Sequence, residues 1–247
     1  VVVIPEARGD VDVRIAPGDP RLPPLVPRRD GDRIVIDGGL RDRIAGCRAQ
    51  NTPQSRAVNV RGVGWIGWDR LPVITLRVPL HARIGASGAA WGEVGPSDAL
   101  DLAHGGCGDW TVAPVRGPFH LAVTGSGDTR ARTSGPLDVA INGSGDLAMD
   151  HAEGDVNIAI RGSGDVHLAG VDGRLSSVTA GSGDIDVDGG HASALAVRID
   201  GSGDLVFRGE AGSLAASVNG SGDVHVARVS GAVSKVVHGS GEVTVGR

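Results

Sequence analysis

The sequence is poor in aromatic side chains: among its 247 residues are no tyrosine, two phenylalanines and four tryptophans. A hydrophobic core must therefore be built mainly from Val, Ile, Leu and Ala. The sequence also lacks a run of about twenty apolar residues, so no membrane-spanning helix is expected. It has no basic stripe and a net charge of −5, which argues against nucleic acid as a partner.

The chain also lacks an initiator methionine and opens with VVVIPEARGDVDV. Such a start is typical of an exported chain whose signal peptide has been removed, or of a trimmed sequence. We expect an exported protein, located in the periplasm, at the cell surface or outside the cell.

Glycine is abundant, with 41 residues, and much of it recurs in one motif. Gly-Ser-Gly followed by an acidic residue returns every 18 to 20 residues. An additional triplet, Gly106-Cys107-Gly108, has cysteine in the place of serine. This recurrence predicts a repeat architecture in which each unit is one small structural element. The seven complete triplets are 125–127, 143–145, 162–164, 181–183, 201–203, 220–222 and 239–241.

Within each unit, apolar and variable residues alternate with a period of two. Val166 and Leu168 flank one variable residue after a motif, and Val156, Ile158 and Ile160 form an alternating run before it. This alternation predicts β-strands with one buried face. No stretch has a helical period, so each unit is interpreted as two short strands and two turns.

A single unit is too small to bury its apolar face, but stacked units can bury one another. We therefore predict an all-β fold, a parallel β-helix or β-solenoid with coils of about 19 residues. About eight coils at ~4.8 Å each form a rod about 40 Å long. Residues 73–247 are assigned to the solenoid and residues 1–72 to a less regular N-terminal β section that caps it, within one elongated domain.

The N-terminal section contains two segments with strand character. VDVRIAPGD and DRIVIDGG are interpreted as two strands of a hairpin or of the first coils. Residues 40–62 are polar and are interpreted as a loop or an insertion. The end of a β-helix must be covered, because its open strands recruit partners.

The motif glycines are best explained as turn residues. Two glycines around one small residue allow positive φ angles and a tight corner. The serine, and the aspartate after it, can hydrogen-bond to the backbone of their own or the next coil. The corner residues expected to have this structural role include Gly125, Ser126, Gly127, Gly143, Ser144, Gly145, Gly162, Ser163, Gly164, Gly181, Ser182 and Gly183.

The motif aspartates raise a second hypothesis, a ladder of cation sites. Stacked carboxylates about 5 Å apart repel by roughly 0.8 kcal/mol per pair in water. Backbone amides, splayed rotamers, arginines or bound cations can relieve this repulsion. Calcium suits an oxygen-rich corner, but the spacing differs from the nine-residue calcium β-roll repeat. No other cofactor is indicated. The candidate ladder consists of Asp128, Asp146, Asp165, Asp184, Asp204 and Asp223.

Other candidate sites are weaker. Cys47 and Cys107 either form a disulfide, which would stabilise the fold by roughly 4 kcal/mol through loop closure, or remain unpaired and buried. His167 and His225 share a coil position but lie three coils apart, which argues against a zinc site. The tryptophans all precede the regular repeats and either form a glycan-stacking patch or cover the end of the core, which we favour. They are Trp65, Trp68, Trp91 and Trp110.

These features together resemble a known family. An opening apolar strand is followed by an apolar strand ending in Val78-Pro79, an Ala/Gly-Ser-Gly corner and tandem GSGD units. This order is similar to the head GIN domain family of "putative auto-transporter adhesins". The resemblance implies a bacterial, exported or cell-surface protein with a right-handed β-helix, and it implies no catalytic residues. Residues 40–62, with Cys47, depart from the usual pattern, and the clean repeat has more coils than expected.

Three functions follow as hypotheses. The first is a non-catalytic structural or adhesive module that self-assembles through its ends or recognises a surface glycan or protein. Lys235 falls at an inward position of the last full coil, so we expect that coil to be open or distorted and to dock on another copy. The second, a polysaccharide-acting enzyme, is disfavoured because the short coils leave no loop to shape a cleft. The third is a carbohydrate- or cation-binding scaffold.

Overall fold

The computed structural model describes residues 1–48 and 56–246, with the exception of the side chain of Arg41. Residues 49–55, part of the segment interpreted as a loop or insertion, lie outside the described residues. In the described part, regular structure is β-strand apart from two short 3-10 helices, Arg41–Arg43 and Trp68–Arg70.

Two parallel ladders of strands wind into a β-solenoid of about nine turns, so the predicted fold class is confirmed with one turn more than expected. Ladder A contains the strands that lead into the motif. Ladder B contains those that follow it, together with two strands, residues 2–6 and 73–79, that follow no motif. In spatial order, ladder A consists of β9 (His81–Ala86), β11 (Ala99–Gly106), β13 (Phe119–Gly125), β15 (Leu137–Gly143), β17 (Val156–Gly162), β19 (Val171–Gly181), β21 (Gly190–Gly201), β23 (Leu214–Gly220) and β25 (Val233–Gly239). Ladder B consists of β8 (Val73–Pro79), β1 (Val2–Glu6), β10 (Gly92–Val94), β12 (Trp110–Val112), β14 (Thr129–Ser134), β16 (Leu147–Glu153), β18 (Val166–Leu168), β20 (Ile185–Val187), β22 (Leu205–Ala211), β24 (Val224–Val229) and β26 (Val243–Val245).

The register places equivalent residues of successive coils over one another. Gly181 pairs with Gly162 in the coil before it and with Gly201 in the coil after it. Side chains therefore form columns along the solenoid axis, with one residue per coil. The inward columns are mainly apolar, as the period of two predicts: Ile158 and Ile160, for example, are at most 3% exposed.

The first strand occupies an unexpected place. The sequence division puts residues 1–72 outside the solenoid, but β1 lies inside ladder B, parallel to β8 on one side and to β10 on the other. A short apolar strand carries no signal of its register, because any inward position of a parallel ladder accepts such a strand. The stack therefore includes a strand that is distant in sequence from its neighbours.

The remaining N-terminal strands form antiparallel pairs, which corrects two interpretations. β2 (Asp12–Ala16) pairs with β8, and β3 (Val26–Asp30) forms a hairpin with β4 (Arg33–Asp37), so β2 and β4 belong neither to one hairpin nor to the first coils. The two-residue loop at Gly31 and Asp32 favours the β3–β4 hairpin. The segment interpreted as a loop or an insertion, residues 40–62, contains two strands, β5 (Ile44–Arg48) and β6 (Ala57–Val60). They form a three-stranded sheet with β7 (Gly64–Gly67).

The two ends of the solenoid differ. At the N-terminal end, β2 runs antiparallel along β8. At the other end, all seven residues of β25 are exposed, although β25 keeps a continuous register with β23. Lys235 stands in line with Ala216, and its Nζ donates a hydrogen bond to the Val243 carbonyl at 2.8 Å. Among the described residues β25 pairs only with β23, and its continuous register shows that this coil is not distorted.

The close stacking of the corners makes a direct prediction for Gly183. A Cβ atom at this position would lie far inside contact distance of the Gly164 carbonyl oxygen. Because neighbouring coils hold both backbones, Gly183→Ala is expected to lower the free energy of unfolding by about 3 kcal/mol or more. Ser182→Ala is the matched control, with an expected change within about 0.5 kcal/mol because the hydroxyl is exposed. Urea unfolding followed by circular dichroism measures both, and an unchanged Gly183→Ala would contradict this stacking.

Candidate functional site

The Gly-Ser-Gly corners form a continuous edge along the solenoid. The first glycine takes a positive φ angle, such as 137° at Gly181, which a larger residue rarely adopts. The serines are exposed, and in two places they contact each other: Ser182 Oγ lies 3.4 Å from Ser163 Oγ, and Ser240 Oγ lies 3.2 Å from Ser221 Oγ. This geometry supports the structural role expected for the corner residues.

The acidic residue of each motif completes the corner. The backbone N–H of Asp204 donates to Asp184 Oδ1 at 2.8 Å, and the N–H of Asp184 donates to Asp165 Oδ1 at the same distance. The chain of bonds runs without interruption from Asp109 to Glu242, with donor–acceptor distances from 2.7 to 3.3 Å. Each carboxylate therefore binds a peptide N–H of the next coil. The remaining members of this acid ladder are Asp128, Asp146 and Asp223.

Backbone amides are thus the partners that offset the repulsion between stacked carboxylates, which was one of the four possibilities in the sequence. Burial raises the pKa of Asp128 above its ordinary value, and the neighbouring carboxylates of Asp146 and Asp109 act in the same direction. The N–H from Asp146 opposes this shift because it stabilises the charged form. Cation binding by the acid ladder stays a prediction.

Sequence reasoning missed a second set of hydrogen bonds from a peptide N–H to a carboxylate of the preceding coil. At another corner of the coil, the N–H of Arg174 donates to Asp155 Oδ1 at 3.0 Å, and the N–H of His191 donates to Asp172 Oδ1 at 3.1 Å. The only signal in the sequence is an acidic residue one coil before each donor. That signal is weak because the donors, Arg174 and His191, share no motif.

One group of side chains in the described part of the chain has the composition of a metal site. His167, Asp186 and Asp188 lie on the outward face of ladder B with their ligand atoms within 4.8 Å of one another. Arg208 already occupies this group: its Nη1 contacts Asp186 and lies 3.0 Å from Asp188 Oδ1. An arginine in this position neutralises the carboxylates that a metal ion would need. His225 lies three coils from His167, as predicted.

The two cysteines join the N-terminal section to the solenoid. Cys47 on β5 and Cys107 form a disulfide with a Cα–Cα distance of 6.0 Å. Cys107 replaces serine in the Gly106–Gly108 corner, so the bond attaches the β5–β7 sheet to the same edge that carries the acid ladder. Arg56 Nη2 lies 3.9 Å from Asp109 Oδ2 at this junction. The position of the sheet is therefore set by both a covalent bond and an ion pair.

The four tryptophans do not form one surface patch. Trp110 and Trp91 are buried, with 1% and 3% exposure, and belong to separate cores. Trp68 packs edge-on against Trp91 with ring centroids 5.8 Å apart, beneath the β5–β7 sheet. Only Trp65 is well exposed, at 44%, and Arg48 stacks over its ring at 4.2 Å. Three of the four tryptophans thus pack in cores, Trp110 within the solenoid and Trp68 and Trp91 beneath the β5–β7 sheet. The interpretation that they cover the end of the core stays a prediction.

His104 is a buried titratable group of the core. Its Nε2 lies 2.7 Å from Thr129 Oγ1, and its ring stacks against Trp110. Burial lowers the pKa of His104 to about 4, and the Asp109 carboxylate opposes the shift only in part. The folded protein therefore keeps this imidazole neutral at pH values where the unfolded chain protonates it.

The acid ladder predicts different effects of two substitutions at Asp184. Asp184→Ala removes the acceptor for the Asp204 N–H and should cost about 1–3 kcal/mol of unfolding free energy. Asp184→Asn keeps an acceptor oxygen and removes a like charge, so its effect should stay below about 1 kcal/mol. Urea unfolding with calcium and then with chelator measures both variants. If both variants lose the same unfolding free energy and calcium stabilises the wild type, the charge of Asp184 is needed to bind a cation, and the result contradicts this prediction.

His104 predicts a dependence of stability on pH. Because its folded pKa is below its ordinary value, the unfolded state binds the extra proton, and stability falls as the pH drops from about 6.5 to about 4. Below about pH 4 this contribution changes no further. His104→Gln cannot titrate, so the stability of the wild type relative to this variant should fall across that interval. Urea unfolding at several pH values measures the difference, and a constant difference would contradict the assignment.

Comparison with known proteins identifies the family of the C-terminal coils. Residues 156–246, from β17 to β26, match the family model described as "Putative auto-transporter adhesin, head GIN domain". Neither a curated protein nor a solved structure matches the chain. No helix in the described ranges is long and apolar enough to cross a membrane. The resemblance expected from the tandem repeat is confirmed for residues 156–246, which are similar to the head GIN domain family.

Proposed function

We propose that the protein is a non-catalytic structural and adhesive module that works outside the cytoplasm through self-assembly and surface recognition. One observation carries this proposal: the repeated acids are engaged by the backbone of the next coil, from Asp109 to Glu242. The motif that dominates the sequence is thus used to build a rod. The adhesin description of the matched family supports an exported or cell-surface location.

Two features weigh against an enzyme. The corner serines contact one another at Ser182–Ser163 and Ser240–Ser221, whereas a nucleophilic serine is activated by a neighbouring base. The coils also stay at 18 to 20 residues, too short to carry the long loops that shape a catalytic cleft.

The C-terminal end of the solenoid is the surface on which we base self-assembly. In the described residues, β25 pairs only with β23, and Val233, Val236 and Val237 are between 37% and 46% exposed. Such an edge accepts a further strand. At the opposite end the antiparallel β2 covers β8 of ladder B, although β9 of ladder A pairs only with β11 among the described residues. Head-to-tail growth would have to continue both ladders, so the covered ladder B disfavours it. We therefore infer a two-fold pair of chains joined through their C-terminal ends.

Lys235 limits the strength of this pairing. It is the only lysine of the chain and stands at an inward position of the edge strand. A two-fold pair brings two such ammonium groups near each other, so association is expected to be weak and to strengthen with salt, which screens the repulsion.

Sedimentation of the 247-residue chain over a range of concentrations tests the pairing. The wild type should show a reversible dimer that strengthens at high salt and is indifferent to calcium or chelator. Val237→Lys adds a second charge to the edge and should shift the dissociation constant upward about tenfold or more. Val178→Lys, a similarly exposed valine on β19, is the matched control and should not change it. A monomer at every concentration would remove self-assembly and leave surface recognition alone.

A further inference from the structure

The outward face of ladder A carries a groove of about 570 Å³ that none of the roles above uses. It crosses the strands from β9 to β19, parallel to the solenoid axis. One small side chain per coil lines its floor, and the column continues with the larger Val178, which is 42% exposed. The floor consists of Ala103, Ala122, Ala140 and Ala159.

A column of polar side chains forms one rim of the groove, again with one residue per coil. Arg83 Nε donates to Asp101 Oδ2 at 2.9 Å. Asp138 accepts from Asn157 Nδ2 at 2.7 Å and lies 2.8 Å from His120 Nδ1. These pairs hold the rim side chains in fixed positions while leaving roughly half of the surface of His120 and of Asp138 exposed. In order, the rim is Arg83, Asp101, His120, Asp138, Asn157 and Ser176.

The chemistry of the groove restricts its occupant. The floor is the face of a continuous sheet whose strands pair on both sides, so a peptide cannot add to it as a further strand. The rim alternates donors and acceptors, which suits a ligand whose groups both donate and accept, as hydroxyls do. The rim carries two carboxylates, of Asp101 and Asp138, and the single guanidinium of Arg83, an excess of negative charge that disfavours acidic ligands. Alanine methyls on the floor suit the C–H face of a sugar ring.

The spacing of the groove matches the same class of ligand. Successive rim residues are separated by one coil, about 4.8 Å. An extended β-1,4-linked glycan advances by nearly the same distance per ring. The volume is within the range of small-molecule sites, about 300–1,000 Å³, and the groove spans several coils rather than a single point.

We propose that this groove binds an extended, neutral β-1,4-linked oligosaccharide lying along the solenoid axis, with one ring per coil. The proposal rests on the surface recognition proposed above and assigns it a place and a ligand class. Ring hydroxyls contact the rim from Asp101 to Asn157, and ring C–H groups lie on the alanines. Val178 ends the smooth floor, so affinity rises with chain length until the coils between Arg83 and Val178 are filled.

Isothermal titration calorimetry of the full chain with cellohexaose and chitohexaose tests the proposal, with hexagalacturonate as the acidic comparison. At least one neutral hexasaccharide should bind, and its disaccharide should bind at least tenfold more weakly. Ala140→Leu fills the floor and should weaken binding about tenfold or more, as should Asp138→Ala. Ala148→Leu makes the same change at an outward position of ladder B and should leave binding unchanged. Circular dichroism confirms that each variant is folded.

The outcomes separate this proposal from self-assembly. Absence of binding by both neutral hexasaccharides, tighter binding of hexagalacturonate, or unchanged binding by Ala140→Leu would each overturn it. A change in sedimentation caused by Ala140→Leu would also overturn it, because a second copy would then be the occupant. A monomeric protein that binds the neutral glycan supports the groove while contradicting the C-terminal pairing.

Discussion

Each coil of the solenoid lies directly on the coil before it, and this direct stacking determines most of the residues around it. At the corners the backbones approach so closely that a Cβ atom at Gly183 would overlap the Gly164 carbonyl. The chain must also turn there, which leaves a peptide N–H of each coil without a strand partner. The carboxylate of the preceding coil accepts that N–H, as Asp184 does for Asp204. Glycine leaves room for the neighbouring backbone, and aspartate accepts the free N–H. The four-residue motif therefore contains the residues that one corner needs.

The parts that sequence reasoning predicted are those in which neighbours in space are separated by one repeat. The inward columns and the alignment of corner glycines follow from the alternation and the period. β1 was missed because its partners, β8 and β10, are more than seventy residues away, and a short apolar strand carries no signal of its register. The β3–β4 hairpin was missed because its two-residue loop, Gly31-Asp32, was not separated from the polar residues around it. The burial of the tryptophans was also not predictable from their sequence positions. Trp91 is buried beneath the small β5–β7 sheet, whereas Trp110 is buried in the solenoid core.

The candidate sites were harder to predict because they belong to columns. Arg83, Asp101 and Asp138 are far apart in sequence and follow no motif, yet the register places them along one rim. A reader of a single repeat sees one variable outward residue per coil. Only the stack shows that the variable residues of ladder A alternate donors and acceptors, and that the next outward column is nearly all alanine.

The two charged surfaces of the solenoid differ in a way that bears on recognition. On ladder B, Arg208 lies between Asp186 and Asp188, so its guanidinium offsets the charge of the local carboxylates. On ladder A, the pairs formed by Asp101 and Asp138 run along the axis beside a floor of methyl groups, so their outer faces remain available over several coils. Pairing along the axis positions each side chain without covering it, because the partner lies in the next coil rather than above the groove. A solenoid can therefore build a long binding surface from residues that also stabilise its own ladder, provided that one outward column stays small.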